Sequence, residues 1–317
     1  MKKILFAVVF LYTCFSFSVA QVNTYTFAQD TGSPTYLSSG YTEIGIGTGL
    51  DEDYHNNVPI GFYFNFNGIE YSSLTIHDNG YIVMGSSTET DSRPISYVNN
   101  SISALGADLQ GLSNATLRHQ TLGTAPNRRF VAEWRHFETY GSSGGGDFSF
   151  QIILYEGTNV IQIVYDTHTS FADDFQVGLR GASSTDYNNR TKATADQWLS
   201  SLAGTTNSTV MNAGTNNNTK PNGMYTWTPQ NMVYVSSTTT QTVTADVGLG
   251  AVSQEIIGIQ IVTQNTNNPL TVSSFTINTN GSTFPAADIS RMKLWSTGTS
   301  STFANTLQIG GSISNPS

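Results

Sequence analysis

Ile60, Phe62, Phe64 and Phe66 alternate with Gly61, Tyr63 and Asn65, and Asn67-Gly68 follows at once. One apolar residue in every two, on one face, is the period of a β-strand. An Asn-Gly pair at its end is the strongest short signal for a two-residue hairpin turn. The pattern then repeats. A return strand runs through Tyr71, Leu74 and Ile76, and Asp78-Asn79-Gly80 turns into Tyr81-Ile82-Val83-Met84. Phe130 to Phe137 carries Phe130, Ala132 and Trp134 on one face, and Phe148, Phe150, Ile152 and Leu154 alternate cleanly. Glu156-Gly157-Thr158-Asn159 turns back into Val160 to Tyr165, and Phe175 to Leu179 is a shorter strand. Short alternating strands at this density of turns predict an all-β chain of the β-sandwich or jelly-roll kind.

Thr191 to Gly223 interrupts the pattern. Ala195 to Leu202 reads as a helical turn around Trp198, Gly144-Gly145-Gly146 as a hairpin connection, and Asn216-Asn217-Asn218 as a polar loop. Met224 to Thr228 is the closing strand of a first domain, ended by Pro229. A second unit begins at Asn231, with strands expected over Met232 to Ser236, Glu255 to Thr263, Leu270 to Asn278 and Ile289 to Trp295. Apolar residues on both faces of Glu255 to Thr263 predict a central strand covered on both sides. After a turn at Gly310-Gly311 no closing strand is legible before Ser317. The expectation is two tandem β-sandwich (jelly-roll-like) modules, residues 21–230 and 231–317, the second incomplete.

The N-terminus sets the compartment. Lys2 and Lys3 precede an apolar run from Ile4 to Phe17, too short to span a bilayer, and Ser18-Val19-Ala20 offers small residues for cleavage. This predicts a secretory signal peptide over residues 1–20, cut between Ala20 and Gln21, and a secreted or cell-surface protein. The competing reading is a lipid anchor on Cys14, for which Tyr12 and Thr13 are bulky neighbours. Cleavage after Ala20 removes the sole cysteine, so neither a disulfide nor a Cys-containing metal site is expected in the mature chain. Thirteen Lys and Arg against 22 Asp and Glu give a net charge of −9, which argues against a nucleic-acid partner. Nothing after Ala20 approaches the length of a membrane span.

Two stretches carry resemblances. The second unit contains Gln254-Glu255-Ile256-Ile257-Gly258-Ile259-Gln260-Ile261-Val262-Thr263, then Asn268-Pro269-Leu270-Thr271-Val272-Ser273-Ser274-Phe275-Thr276-Ile277-Asn278, and Lys293-Leu294-Trp295-Ser296-Thr297-Gly298-Thr299. These segments resemble the N-terminal accessory domain of bacterial BNR-repeat neuraminidases (sialidases). The resemblance implies a β-sandwich without catalytic residues, one that continues in that family beyond the point matching Ser317. The first domain carries Pro59-Ile60-Gly61-Phe62-Tyr63-Phe64, Asn79-Gly80-Tyr81-Ile82, Pro126 to Trp134, Phe150 to Glu156 and Gln176 to Gly181. It resembles the N-terminal sandwich of large secreted bacterial surface proteins of the type IX secretion kind, to which no activity attaches.

Motifs that carry chemistry are scarce. Ser184-Thr185-Asp186-Tyr187 through Thr191 has the Ser and Asp of a sialidase Asp box but lacks its Gly, Thr and Trp. No nucleophile elbow, phosphate loop or zinc-protease motif occurs, so no catalytic residue is expected. The five histidines, His55, His77, His119, His136 and His168, show no metal-ligand spacing, and no zinc or other transition-metal site is expected. Glu133 and Glu138 lie near Trp134, but their odd spacing puts them on opposite faces of a regular strand. Asp51-Glu52-Asp53 is the densest acidic cluster and the candidate for a structural calcium ion, with Asn56 or Asn57 as a further ligand; the alternative is a solvated turn. No other cofactor is expected. Trp134, Tyr140, Tyr187 and Trp198 are flanked by polar residues and are candidates for stacking on sugar rings, the two tryptophans reading more readily as core plugs. The functional expectation is a set of non-catalytic binding or spacer modules whose partners are glycans, extracellular proteins or neighbouring modules of a longer chain. The alternative is the accessory front of a secreted hydrolase, sialidase-like or peptidase, with its catalytic domain beyond residue 317.

Overall fold

The computed structural model describes the backbone of residues 7–11 and residues 21–314, apart from 142–144, 170–171, 194, 217–218, 242, 244, 246–249, 266, 279–288, 299 and 301. Cys14, Gly144, Asn217 and Asn218 therefore lie outside the described residues, as does the expected cleavage point at Ala20. The chain divides into two units, one of residues Val19–Gln230 and one that joins Met1–Ser18 to Asn231–Ser317.

The larger unit is an all-β sandwich. One sheet runs in spatial order β2 (Thr26–Asp30), β16 (Asn222–Thr228), β11 (Ile161–Asp166), β10 (Phe148–Tyr155), β9 (Arg129–Thr139), β8 (Leu109–Leu122) and β3 (Thr42–Ile46). The other runs β14 (Leu202–Ala203), β13 (Tyr187–Thr191), β12 (Asp174–Arg180), β7 (Ser101–Gly106), β6 (Tyr81–Met84), β5 (Ile69–His77) and β4 (Tyr54–Phe66), with β15 (Met211–Asn212) paired to β12. Every ladder between these strands is antiparallel.

Strand β4 alternates as its sequence predicts. Its Ile60, Phe62, Phe64 and Phe66 are buried, and Gly61 and Tyr63 face out. Asn67 and Gly68 both take positive φ, 54° and 78°, as a type I′ hairpin turn requires. The two sheets meet over one core that joins Phe64, Leu74, Ile82 and Val177 to Phe130, Trp134, Phe150, Ile163 and Tyr225. Polar tips are satisfied across the layer. The Trp134 indole donates to the His77 carbonyl at 3.1 Å, and the Tyr165 hydroxyl donates to the Ala104 carbonyl at 2.8 Å. A smaller cluster of Leu37, Val131, Ile153 and Val164 lies on the outer face of the first sheet.

The smaller unit has one sheet, ordered β17 (Val233–Thr240), β18 (Gln254–Gln264), β1 (Ala7–Leu11), β19 (Arg291–Ser296) and β20 (Leu307–Ser314). Strand β1 runs parallel to both of its neighbours. Three expectations change here. Leu270 to Asn278 forms no strand, and Leu270 and Val272 are exposed. Gly310-Gly311 is not a terminal turn but lies inside β20, which pairs with β19. Strand β18 is interior by its hydrogen bonds, yet most of its residues are only half-buried, so it is not covered on both faces.

Candidate functional site

Two of the four aromatic residues singled out from sequence present no free ring. Trp134 and Trp198 are fully buried. Both are core residues, because their rings fill the space between the sheets: Trp134 stacks on Phe150 at 5.1 Å, and Trp198 meets Tyr165 at 5.4 Å. Neither offers a face to a sugar. Tyr187, on β13, is half-buried and its hydroxyl donates to the Thr205 carbonyl at 2.9 Å. Tyr140, just past β9, is exposed.

Glu133 is also buried. Its carboxylate accepts from the Leu37 amide at 2.9 Å and the Gln151 amide at 2.7 Å, tying the segment around Leu37 to the sheet. Burial pushes its pKa up. Glu138 instead accepts from Gln110 at 3.1 Å. The odd spacing of the pair does not separate their faces, because β9 carries a bulge between them. Trp134 pairs with Phe150 and Phe137 with Phe148, so Arg135 and His136 together oppose Ser149. One extra residue restores both glutamates to the same face.

Of the acidic trio, Asp51 and Glu52 converge with Asp108, one carboxylate oxygen of each lying within 4.8 Å of the other two. Asp53 is not one of this group; its carbonyl accepts the Asp78 amide. Burial and then the neighbouring carboxylates push the pKa values of Asp51 and Asp108 up. Glu52 takes a φ of 59° and accepts from Asn79 at 3.1 Å. Asp108 could not be associated with the trio from sequence, since 55 positions separate it from Asp53. The Asp of the degenerate Asp box, Asp186, is buried and accepts from the Asn67 amide at 3.1 Å, a structural role at the foot of the first hairpin.

Two arrangements escaped the sequence. The first is an open groove of about 610 Å³ lined by Pro59, Phe62, Tyr63, Pro126, Arg128 and Glu156 among others. Tyr63 stands 71% exposed at its edge, on a strand whose alternate residues are buried. Arg128 is held by Glu156, its Nε donating to Oε2 at 2.8 Å, and by the Gly61 carbonyl at 2.6 Å. The hydrogen bond from Arg128 keeps the Glu156 carboxyl down at about 2, so the pair is charged at any physiological pH. The second arrangement gathers His136, Asp147 and His168. His136 and His168 are 32 positions apart and share no local spacing; the sheet alone brings them together.

Fold and surface together define an all-β sandwich module that carries an open polar-aromatic groove. The sequence profile of the family described as NIDO related matches residues 24–229. The chain belongs to that family, which is typical of extracellular proteins. No curated protein and no solved structure shows a significant match to it. Among the described residues no helix is long and apolar enough to cross a membrane.

Proposed function

We propose that this chain is a non-catalytic binding module working outside the cell, and that it holds a glycan in the groove beside Tyr63. Export by a leader cleaved after Ala20 is part of the same reading. One observation carries it: the Tyr63 ring is held out to solvent on a strand otherwise committed to the core, beside the Arg128–Glu156 pair. A flat aromatic face packs well against the C–H face of a sugar ring, and a few fixed polar groups at the rim orient its hydroxyls. The resemblance of residues 231–317 to a neuraminidase accessory domain supports a second reading, in which the same modules present a ligand to a hydrolase encoded further along.

A glycan array probed with the chain tests the first reading. Selective binding is expected, and Tyr63→Ala should weaken it by about 2- to 10-fold, the worth of one aromatic contact. Because Tyr63 is exposed, the melting temperature should not move. Absence of selective binding, or full binding by Tyr63→Ala, would remove the groove from consideration.

A further inference from the structure

Strand β9 breaks its own regularity at His136. This residue takes a φ of 60°, a left-handed conformation that few residues other than glycine adopt, at the bulge opposite Ser149. A bulge re-aims a side chain, and backbone held in a sparsely populated region points to a use for it. Here the His136 ring is turned onto Asp147. Its Nδ1 lies 3.0 Å from one carboxylate oxygen and 3.2 Å from the other. The His136 amide is anchored separately, donating to the Ser149 hydroxyl at 3.1 Å.

His168 arrives from the far side of β10. Its ring stacks on that of His136, with centroids 5.3 Å apart and planes inclined by 14°. Backbone bonds fix its position against Asp147: the His168 amide donates to the Asp147 carbonyl at 2.9 Å, and the Asp147 amide donates to the Thr169 carbonyl at 2.9 Å. Lys220 donates to the His168 carbonyl at 3.3 Å. The imidazole itself is exposed, whereas His136 and Asp147 are half-buried. One potential ligand atom from each of the three residues lies within 4.8 Å of the other two.

We propose that His136, Asp147 and His168 form a binding site for a divalent transition-metal ion of the zinc class, independent of the groove beside Tyr63. Two imidazoles and one carboxylate are a donor set that suits such ions and leaves coordination positions open to water or to an oxygen of a ligand. Donors placed about 2.0–2.1 Å from a tetrahedral zinc stand roughly 3.3–3.4 Å from each other. The His136–Asp147 contact already has nearly that span, so the ion takes the place of the proton they share. Only the exposed His168 ring has to swing in to complete the set. Bound there, the ion ties β9, the start of β10 and the segment after β11 together at one end of the sheet.

The test uses the chain purified without a polyhistidine tag, stripped of metal and titrated calorimetrically with Zn²⁺. One ion per chain is expected. His168→Ala, which removes an exposed ring and should leave the fold intact by circular dichroism, should weaken binding by more than the about 10–100-fold that an outer-shell change costs. Asp147→Asn should do the same. His55→Ala and Asp108→Asn, at the two other places where histidine or carboxylates gather, should bind as the parent does. Substituting Co²⁺ should give visible ligand-field bands that His168→Ala abolishes. Failure of the parent chain to bind Zn²⁺ would overturn the site and leave a plain His136–Asp147 hydrogen bond. So would binding that His168→Ala leaves unchanged.

Discussion

The His77 ring shows how one side chain contributes to the acid sensitivity of this fold. It is buried, stacks on Tyr81 at 4.5 Å, and accepts the Asn79 amide on Nδ1 at 3.0 Å, while its carbonyl receives the Trp134 indole. Burial, and then the neighbouring His55, lower its pKa from 6.5 to about 4. An unfolded chain takes up this proton as the pH falls through about 6.5, and the folded chain resists until about 4. The contribution of His77 to stability is therefore complete above pH 6.5 and is lost on acidification across that window, a change on the order of 3 kcal/mol. His77→Asn keeps an acceptor for Asn79 but has no proton to gain. Urea melts of the variant should fall off less steeply than those of the parent between pH 7 and pH 4.5; parallel curves would place the acid sensitivity elsewhere. The sequence shows His77 only as a histidine near a turn. That its ring is buried depends on the opposite sheet, which no local pattern reports.

Among strands, legibility follows the size of the inward side chains. Strands β4 and β10 put Phe, Ile and Leu on the core face, and their alternation is plain. Strand β8 is not legible although it is the longest among the described residues. Part of its inward face consists of Gly111 and Ala115, small because the neighbouring backbone is close: a Cβ on Gly111 would lie 2.4 Å from the Gly47 carbonyl oxygen. A strand that fits by being thin carries no hydrophobic period. The converse error is Leu270 to Asn278, where alternation marks a side that could be covered but names no partner. The full membership of the two metal-ligand groups found among the described residues was beyond reach for a related reason. Asp51 and Glu52 are neighbours in sequence, but Asp108 joins them only through the fold, and the bulge in β9 with the hydrogen bonds between strands brings His136 to Asp147 and His168. Turns, by contrast, are written locally. Gly68 sits at φ 78° in the hairpin that sets the register of β4 against β5. Gly68→Ala, which forces a Cβ into that conformation, should cost about 1 kcal/mol and lower the melting temperature by roughly 2–4 °C in a domain of this size. An unchanged melting temperature would show that the turn relaxes without cost.

At the scale of the molecule, the first unit is closed by its own ends. Its first strand, β2, pairs with its last, β16, from Thr26 opposite Thr228 to Asp30 opposite Met224. Strand β16 in turn pairs with β11, which makes it an interior strand although it comes last in sequence. It delivers Tyr225 and Trp227, both fully buried, into a core whose members all fall between Val22 and Trp227. Among the described residues, every member of that core belongs to the first unit. Residues 21–230 should therefore fold alone, with a cooperative melt at the temperature the full chain shows for this unit. A chain stopped at Lys220 loses β16 entirely. Removing a buried aromatic side chain costs about 3–5 kcal/mol. Two such losses, with the strand's hydrogen bonds besides, exceed what most of the about 5–15 kcal/mol stability of a domain can absorb. The shorter chain should give no cooperative transition and should expose apolar surface to a hydrophobic dye. If it melts like the longer one, β16 adds little to the sandwich and the closure inferred from its pairing is wrong. If residues 21–230 fail to fold, the unit draws on the rest of the chain through contacts that its core does not show.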